Sequence, residues 1–499
     1  MRKKLFSRLA LLLLVMLLNG ALLAQFTPSN SPSVEFNWQS TERAKDFLFV
    51  GIMRQFNPSP RRPTHMLFDA QGDLVWYLQG NDWIYDFKMQ EGGRMSLSDN
   101  SAWRVMDSTF TVVDSFRCIG YNTDIHDFIL KPNNHAFLIC LEDTIADLSA
   151  LTSPNGTVGN QNGRLDGIVI QEQDENHQVV KNWHSWDHYG ILDADTVFFT
   201  NPNRLDLNHT NSIDVDDNGN LLLSHRNISE VTLLDWATGD IKYRLGGTNN
   251  QFDLQGDPGT SAQHDAKLLP NNRVSVFDNG TNRHASRGLV YALDTVNMIA
   301  TIEKEYEIPT ALSAGMGSFQ YLDDGTAVMG LGNMGTSTLP RIYYYDANGS
   351  EVLNVDFQST YESYRAQIGE LPYALDRPNI QCEIENGNIV LGLADVYSDY
   401  LWTTDETSAE ITVVDTGYYQ VFVPQGIGMI ASNKVYVSDL SQACSTIVGT
   451  PELMEGPKKP IRLIGRFDIL GRPVAQPIKG QLIIERYSNG SQRKLIYVE

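Results

Sequence analysis

Short turns of two kinds alternate along the chain, and this alternation constrains the fold most strongly. The first kind follows a strand-like segment, at residues 91–93, 132–134, 216–219, 270–272 and 323–325. The second kind lies further on, at residues 69–72, 107–109, 173–176, 237–239, 294–297 and 346–349. The segments between them are rich in Val, Ile, Tyr, Phe and Thr and have little helical periodicity. The sequence therefore predicts an all-β chain.

Paired in order, the turns define five complete two-hairpin units. A sixth unit follows from the turn at 69–72 together with the strand-like segment 47–52. Four-strand units that repeat every ~40 to 55 residues are typical of a β-propeller, in which each blade is one small sheet. We therefore predict a six-bladed β-propeller over residues 30–375. The longer gap between the turns at 132 and 216 predicts insertions at 142–165 and 183–207.

The pattern changes after Arg377. Residues 378–446 contain short alternating strands with a central Trp402 and the sequence Gly417-Tyr418-Tyr419, which is typical of an immunoglobulin-like β-sandwich. Residues 450–460, rich in Pro, Gly and Lys, are predicted to be a linker. Residues 461–499 are predicted to form a small β-rich, basic C-terminal domain.

The N-terminus has a basic head, an apolar core and a small residue at Ala24, which is the layout of a signal peptide over residues 1–24. No later segment is long and apolar enough for a membrane span. We therefore expect a protein that is exported through the periplasm and is secreted or held at the cell surface.

The cysteines and the net charge narrow the chemistry further. The four cysteines are compatible with two disulfides, and the pairs Cys118 with Cys140 and Cys382 with Cys444 are favoured among the open pairings. No Cys-x-x-Cys motif indicates a zinc or redox site. The formal charge of -22 argues against a nucleic-acid partner. An anionic substrate would accordingly need a local basic pocket.

Three histidines share one position in consecutive units. His126 stands six residues before the turn at 132, His209 seven before the turn at 216, and His264 six before the turn at 270. Equivalent positions of different blades converge on the propeller axis, so these imidazoles are predicted to face one funnel. Asn211 lies on the same strand face as His209, and Arg226 on the returning strand is predicted to reach the same mouth. A single histidine of this kind is usually structural, whereas three in register with an arginine favour a site.

The other histidines are interpreted differently. His184 and His188 have the i, i+4 spacing of a helical metal pair, but an insertion loop lining the pocket is favoured, and no metal is predicted. His225 is interpreted as structural, and His65 as structural or at the rim. Residues 277–280 (FDNG) are interpreted as a turn. Arg287 is predicted either to support the pocket or to form an ion pair that locks a blade.

Histidines with one arginine suit the transfer of an anionic group. A neutral imidazole acts as nucleophile or general base, and arginine binds oxyanions through its forked donors. The chain has few carboxylates at equivalent places, no Gly-x-Ser-x-Gly elbow and no phosphate-binding Gly-Lys-Ser/Thr loop. These features disfavour a glycosidase, a serine hydrolase and a nucleotide-dependent transferase. No cofactor is predicted.

Several motifs together resemble the bacterial arylsulfate sulfotransferases over roughly residues 45 to 350. The motifs are DIHDF at 124–128, HTNSID at 209–214, SHRN at 224–227, LGG at 245–247, QHDA at 263–266, FDNG at 277–280 and SR at 286–287. The resemblance implies a six-bladed propeller that moves a sulfuryl group from a phenolic sulfate ester to a phenol by a ping-pong mechanism, without a nucleotide donor.

The resemblance also assigns roles to residues. His264 would be the nucleophile that forms a sulfohistidine. His126, His209 and Arg226 would bind the sulfuryl oxygens, with one histidine serving the phenol proton. Asn211 would assist, and His188 and Arg287 are expected to contribute to substrate binding. Two features depart from the family's pattern, namely a short N-terminus and the domains after residue 377.

The C-terminal segment carries a second resemblance. DILGR at 468–472 and KG at 479–480 match the two usual motifs of the sorting domain of the type IX secretion system of Gram-negative bacteria. This resemblance implies export by that machinery. Because such tails occur on enzymes and adhesins alike, a non-catalytic propeller that binds a partner or glycan stays open. An aryl sulfatase that transfers to water is the other alternative. The sequence indicates no oligomeric state.

Overall fold

The computed structural model describes residues 28, 30–39, 46–54, 61–80, 84–99, 101–216, 218–308, 310–357, 361–440, 444, 447–449, 463–467, 474, 482–487 and 492–496. The predicted signal peptide and the predicted linker at 450–460 lie outside these residues. Strand accounts for 50% and helix for 3% of the structure, which confirms the all-β class.

The first part of the chain consists of β1 to β26. These strands are β1 (Val34–Trp38), β2 (Phe47–Arg54), β3 (Thr64–Phe68), β4 (Leu74–Gln79), β5 (Phe87–Met89), β6 (Met95–Asp99), β7 (Ala102–Met106), β8 (Val112–Phe116), β9 (Asn122–Leu130), β10 (Ala136–Ala146), β11 (Gly163–Gln173), β12 (Val179–His184), β13 (Arg204–Asp206), β14 (Thr210–Val215), β15 (Asn220–His225), β16 (Glu230–Asp235), β17 (Ile241–Gly246), β18 (His264–Leu269), β19 (Arg273–Asp278), β20 (Arg287–Asp294), β21 (Ile299–Glu307), β22 (Ser318–Tyr321), β23 (Ala327–Gly330), β24 (Ile342–Tyr345), β25 (Glu351–Phe357) and β26 (Tyr361–Gly369).

These strands form six antiparallel arrays, here called sheets I to VI. Sheet I has the order β26-β2-β3-β4, sheet II β5-β6-β7-β8, sheet III β9-β10-β11-β12, sheet IV β14-β15-β16-β17, sheet V β18-β19-β20-β21 and sheet VI β22-β23-β24-β25-β1. Sheet I is therefore completed by a strand from the far end of this region. In the same way, β1 pairs with β25 and adds a fifth strand to sheet VI.

Every predicted turn joins two hydrogen-bonded antiparallel strands of one sheet. The turn at 132–134 connects β9 to β10, for example, and the turn at 270–272 connects β18 to β19. Turn residues act locally, because Gly and Asn accept positive φ and Asp bonds its own backbone. The repeat of two hairpins per unit is therefore confirmed at the level of strand pairing.

The first strands of the sheets lie against one another. Contacts join β26 to β5, β9 to β14, β14 to β18, β18 to β22, and β22 back to β26, while β9 contacts β6 and β7 of sheet II. Sheet faces are buried between neighbouring sheets, and Gly288 lets sheet V approach sheet VI, since a Cβ there would lie 2.3 Å from Phe319 Cδ2. The region in which these first strands meet is called the shared centre below.

The first predicted insertion is shorter than expected, and the second corresponds to the connection between β12 and β14. Residues 142–146 and 163–165 continue the β10–β11 hairpin, so the first inserted loop spans 147–162. The second contains β13, which pairs in parallel with β11, and three short 3₁₀ helices at Ser185–Asp187, Ile191–Asp193 and Thr196–Phe198. A fourth 3₁₀ helix, Arg226–Ile228, follows β15.

The later strands are β27 (Ile380–Glu385), β28 (Asn388–Leu393), β29 (Leu401–Trp402), β30 (Ile411–Thr412), β31 (Gly417–Tyr419), β32 (Val421–Gln425), β33 (Gly428–Ala431), β34 (Val435–Val437), β35 (Ile447–Gly449), β36 (Leu463–Phe467), β37 (Leu482–Tyr487) and β38 (Gln492–Ile496). Strands β27-β28-β30, β31-β34-β35 and β36-β37-β38 form three small sheets. The motifs DILGR and KG of the tail fall outside the described residues.

The predicted immunoglobulin-like sandwich is not confirmed. Strand β33 pairs with the outer strand β4, and β32 and β29 extend the same sheet. Trp402 is fully buried in a cluster that also holds Trp76 and Phe87 from sheets I and II. A strand at the edge of a sheet exposes unpaired backbone N–H and C=O groups. Pairing with β33 covers this edge of β4. The alternation of residues within one strand does not show which edge of another sheet that strand will join.

Both favoured disulfides are present. Cys118 pairs with Cys140, at a Cα–Cα distance of 5.9 Å, and Cys382 pairs with Cys444, at 5.7 Å. Among the described residues, no helix has both the length and the apolar character needed to cross a membrane.

Candidate functional site

The structure places the three registered histidines on consecutive sheets at the shared centre. His126 lies in β9, His209 directly precedes β14, and His264 opens β18. The ring centroids of His126 and His209 are 5.0 Å apart. The Tyr364 ring lies 5.5 Å from His126 and 6.1 Å from His264, so it stands beside both. We call His126, His209, His264 and Arg226 the histidine site.

His264 is held at both ring nitrogens. Its Nδ1 lies 2.7 Å from Asn279 Oδ1 and 3.0 Å from the carbonyl oxygen of Ala262, and its Nε2 lies 3.2 Å from the backbone N of Met316. Burial, followed by the positive charge of Arg226, holds the pKa of His264 well below its usual value. The imidazole is therefore neutral at physiological pH.

His126 and His209 are each paired with a carboxylate. His126 Nδ1 lies 2.5 Å from Asp124 Oδ1, and His209 Nδ1 lies 2.6 Å from Asp206 Oδ2. In both cases Nε2 is left as the ring nitrogen that can exchange a proton with a ligand. Burial lowers the pKa of His126, but the charge and hydrogen bond of Asp124 outweigh burial, so the pKa is raised. The pKa values of His126 and His264 are thus shifted in opposite directions within one site.

The Asp124–His126 pair can be tested without any substrate. In Asp124→Asn, the side-chain oxygen still accepts the hydrogen bond from the His126 backbone N, but the negative charge is gone. We expect the pKa of His126 to fall, because Asp124 is the main group that raises it. The measurement is an NMR titration of the imidazole protons. Asp174→Asn, at an exposed hairpin, is the control and should leave the His126 midpoint unchanged. An unmoved midpoint in Asp124→Asn would contradict the assignment.

Arg226 is the cation of the site. It begins the 3₁₀ helix after β15, its backbone N donates to the carbonyl oxygen of His209 at 3.1 Å, and its Nη1 donates to Asn227 Oδ1 at 2.7 Å. Its guanidinium stacks 4.4 Å from the centroid of the Phe198 ring. Burial lowers the pKa of Arg226, although the guanidinium remains charged at physiological pH. A partly buried cation beside neutral His264 suits an anionic ligand.

Asn211 lies in the same centre and helps to join two sheets. Its Nδ2 donates to the carbonyl oxygen of Gln263 at 2.8 Å, directly before His264. Its Oδ1 is buried without a hydrogen-bond partner. Asn211 therefore ties β14 to the start of β18.

No described contact joins His188 or Arg287 to the histidine site. His188 stacks on Trp183, with the ring centroids 4.7 Å apart. Arg287 is buried and makes ion pairs with Asp257 at 2.8 Å, Asp278 at 2.9 Å and Glu305 at 2.8 Å. Two of these ion pairs connect β20 to β19 and β21 of sheet V.

The other histidines considered in the sequence analysis, His225, His65 and His184, lie in structural surroundings. His225 bonds to Thr210 Oγ1 at 2.8 Å and to the Tyr189 hydroxyl at 3.1 Å, and burial lowers its pKa to about 3. His65 is buried against Phe87, and burial lowers its pKa to about 4. His184 pairs with Glu142 at 2.9 Å. Within the described residues, no cluster of three or more His, Cys, Asp or Glu side chains is arranged to hold a metal ion.

Sequence reasoning missed an apolar surface beside the histidines. It consists of Met53, Ile84, Tyr85, Met316 and Tyr364, which we call the aromatic wall. The Tyr85 ring lies 5.5 Å from that of His126 and 4.8 Å from that of Tyr364. Only the topology could have indicated Tyr364, because a strand after the sixth unit was needed to complete sheet I.

A buried ion cluster lies next to the site. Its members are Asp86, Lys88, Asp127, Asp265, Lys267 and Arg365. Asp127, Asp265 and Arg365 directly follow His126, His264 and Tyr364 in the chain. Arg365 Nη1 lies 3.3 Å from both Asp86 and Asp127, and its Nε lies 3.3 Å from Asp265. The ion cluster thus ties together the strands that carry the site.

Comparisons with known proteins gave one family match. The model of a family described as Arylsulfotransferase (ASST) matches residues 93–358. No curated protein matches the chain.

Solved structures are similar only at a low level. A protein of unknown function from Bacteroides caccae has 11% identity, covers 65% of this chain and 98% of its own, and has a TM-score of 0.40. A catalytically inactive virginiamycin B lyase from Staphylococcus aureus has 8% identity, covers 77% and 100%, and has a TM-score of 0.34. AztD from Citrobacter koseri has 9% identity, covers 66% and 99%, and has a TM-score of 0.32.

Proposed function

Because the chain belongs to the arylsulfotransferase family, we propose that it transfers a sulfuryl group from a phenolic sulfate ester to a phenol, with His264 carrying the group between the two. The observation that carries this proposal is the state of His264, a buried neutral imidazole surrounded by the charge of Arg226 and two carboxylate-paired histidines. A neutral imidazole has the lone pair that a nucleophile needs.

The first half-reaction forms the covalent intermediate. A ring nitrogen of His264 attacks the sulfur of the donor, the bond between sulfur and the phenolic oxygen breaks, and that oxygen leaves with the electron pair. His126, whose raised pKa favours the protonated form, gives its proton to the departing phenolate. The products are the free phenol and sulfohistidine at position 264.

The second half-reaction restores the enzyme. The acceptor phenol transfers its proton to His126, which is now neutral, and its oxygen attacks the sulfur. The bond between nitrogen and sulfur breaks, and His264 recovers the electron pair. Arg226, with His209 beside it, holds the sulfuryl oxygens in both half-reactions, since a fixed cationic donor stabilises the charge that is spread over the transferred group.

The aromatic wall is the proposed binding surface for both phenols. Tyr85 and Tyr364 present rings next to His126, and Met53, Ile84 and Met316 complete the apolar surface. Aromatic rings pack favourably edge to face at such distances. Asn211 supports the start of β18. The basic histidine site also satisfies the need for a local cationic pocket in a chain of charge -22.

For the fold, we propose that sheets I to VI are the blades of a six-bladed propeller. The contacts between successive first strands, which return from β22 to β26, support this arrangement. We also propose export through the signal peptide and delivery to the exterior by type IX secretion. Sequencing the N-terminus of the exported protein and deleting residues 461–499 would test this route.

Turnover of a chromogenic aryl sulfate by the purified protein, with and without added phenol, is the central test. We expect release of the chromophore to depend on the phenol, and brief exposure to donor alone to leave one sulfuryl group on His264, located by peptide mass spectrometry. Release that is independent of phenol would indicate a sulfatase acting on water. A protein that is inert towards a panel of aryl sulfates and stays unmodified would contradict both, and would favour a binding propeller.

A further inference from the structure

Asn279 connects His264 to the loop at residues 313–317. Its side chain is fully buried, with Oδ1 2.7 Å from His264 Nδ1. Its Nδ2 donates to the carbonyl oxygens of Ser313 and Met316, both at 2.8 Å. Carbonyl oxygens only accept hydrogen bonds, so the amide nitrogen of Asn279 must face them. The side-chain oxygen must therefore face the imidazole.

This orientation determines the tautomer of His264. Asn279 Oδ1 and the carbonyl oxygen of Ala262 are both acceptors, so Nδ1 must carry the hydrogen. On the other side of the ring, the backbone N–H of Met316 points to Nε2 at 3.2 Å, which requires a lone pair on Nε2. A hydrogen on Nε2 would place two donors against each other. Both contacts thus select the same neutral form.

The loop that supplies the Met316 amide has an unusual backbone. Met316 has φ +62° and Gly317 has φ +103°, and a Cβ on Gly317 would lie 2.3 Å from Phe277 Cε1. Positive φ is unfavourable for a residue such as methionine and persists only where other contacts impose it. The two hydrogen bonds from Asn279 are contacts of this kind, so one side chain fixes both the imidazole and the amide that faces it.

We propose that Asn279 is a positioning residue that holds His264 as its neutral Nδ1–H tautomer, which makes Nε2 the atom that bonds to the sulfuryl group. This inference rests on the proposed function. In the step, the lone pair of Nε2 forms the bond to sulfur and the bond from sulfur to the phenolic oxygen breaks with its electron pair. The hydrogen stays on Nδ1, where Asn279 Oδ1 stabilises the positive charge that the ring acquires. The Met316 amide loses Nε2 as its acceptor and is free to donate to a sulfuryl oxygen.

Asn279→Asp is the most informative variant. The carboxylate keeps an acceptor for Nδ1 but adds a negative charge beside the ring and loses both donors to the loop. We expect His264 to protonate at a higher pH, so that the acid limb of the kcat profile moves upward in pH and activity recovers at alkaline pH. Asn279→Ala should lower kcat by roughly 10- to 100-fold with little change in KM, by analogy with hydrogen-bond partners that orient a metal-binding imidazole.

The matched control is Ser286→Ala. Ser286 Oγ donates to the carbonyl oxygen of Asn279 and accepts from the backbone N of Ser313, both at 2.8 Å, so it supports the same loop without contacting His264. If Asn279 acted only by holding the loop, Ser286→Ala and Asn279→Asp would lower kcat with the same unshifted pH profile, and the inference would fail.

A measurement without substrate separates this inference from the proposed function. The ¹⁵N shifts of His264 in the unliganded wild-type protein should report hydrogen on Nδ1 and none on Nε2, and in the reacted protein the sulfuryl group should lie on Nε2. An active protein whose His264 carries its hydrogen on Nε2 overturns this inference alone. A protein with the expected tautomer that is inert towards aryl sulfates overturns the proposed function, and with it the catalytic role of Asn279.

Discussion

His264→Asn is expected to lower the turnover of a chromogenic aryl sulfate by about 10⁴-fold or more, because the variant has no nitrogen that can form the covalent intermediate. Loss of a covalent nucleophile removes the reaction path itself, whereas loss of a group that only binds the sulfuryl oxygens weakens one interaction. The same variant should acquire no sulfuryl group at position 264 when it is exposed to donor alone. Both effects follow from the loss of the nucleophilic ring nitrogen.

The control for this prediction is another buried histidine. His65 is 2% exposed, has a lowered pKa like His264, and packs against Phe87 rather than in the histidine site. His65→Asn should lower the thermal stability while kcat stays within about threefold of the wild-type value. Circular dichroism of both variants separates folding from chemistry. Full activity in His264→Asn would exclude the covalent role of this residue.

The sequence was sufficient for those features that depend on local chemistry. The turn at 270–272 and its counterparts use residues whose own backbone preferences make a turn, and the strands between them alternate in a simple pattern. The common position of His126, His209 and His264 follows from the same repeat, because the distance from histidine to turn is fixed by strand length. These predictions need no knowledge of which strands are neighbours in space.

Features that depend on distant parts of the chain could not be predicted in this way. Tyr364 and Arg365 reach the site because β26 pairs with β2, more than three hundred residues earlier in the chain. Strand β33 joins sheet I because β4 offers an open edge. Asn279 was interpreted as part of a turn. Its contact with His264 becomes informative only through its hydrogen bonds to the carbonyl oxygens of Ser313 and Met316, which lie in a distant loop.

The ion cluster explains how these distant strands are held in place. Arg365 comes from sheet I, whereas its partners Asp127 and Asp265 come from sheets III and V. Although burial raises the pKa of Asp127, the charges of Arg365, Lys267 and Lys88 hold it well below its usual value. A folded-state pKa below the unfolded value gives stability that is present above the unfolded pKa of about 4 and is lost as the pH falls. The cluster is thus a stabilising element at neutral pH.

Arg365→Met is accordingly expected to lower the free energy of unfolding by about 3–5 kcal/mol at neutral pH. Arg365 is 2% exposed, and its removal leaves Asp86, Asp127 and Asp265 with too little positive charge in a buried setting. The measurement is denaturant unfolding followed by tryptophan fluorescence. Because Arg365 contributes most to lowering the pKa of Asp127, the variant should also lose less stability on acidification than the wild type.

Two further variants decide whether charge balance is the cause. Arg104→Met removes an arginine whose side chain is 43% exposed and pairs with Asp99, and should cost at most about 1 kcal/mol. The double variant Arg365→Met with Asp265→Asn removes one cation and one anion, while the Asn oxygen still accepts from the Phe319 backbone N. It should therefore be more stable than Arg365→Met alone. If the double variant were less stable, packing of the arginine side chain would explain the effect, and the charge-balance account of the site's framework would be wrong.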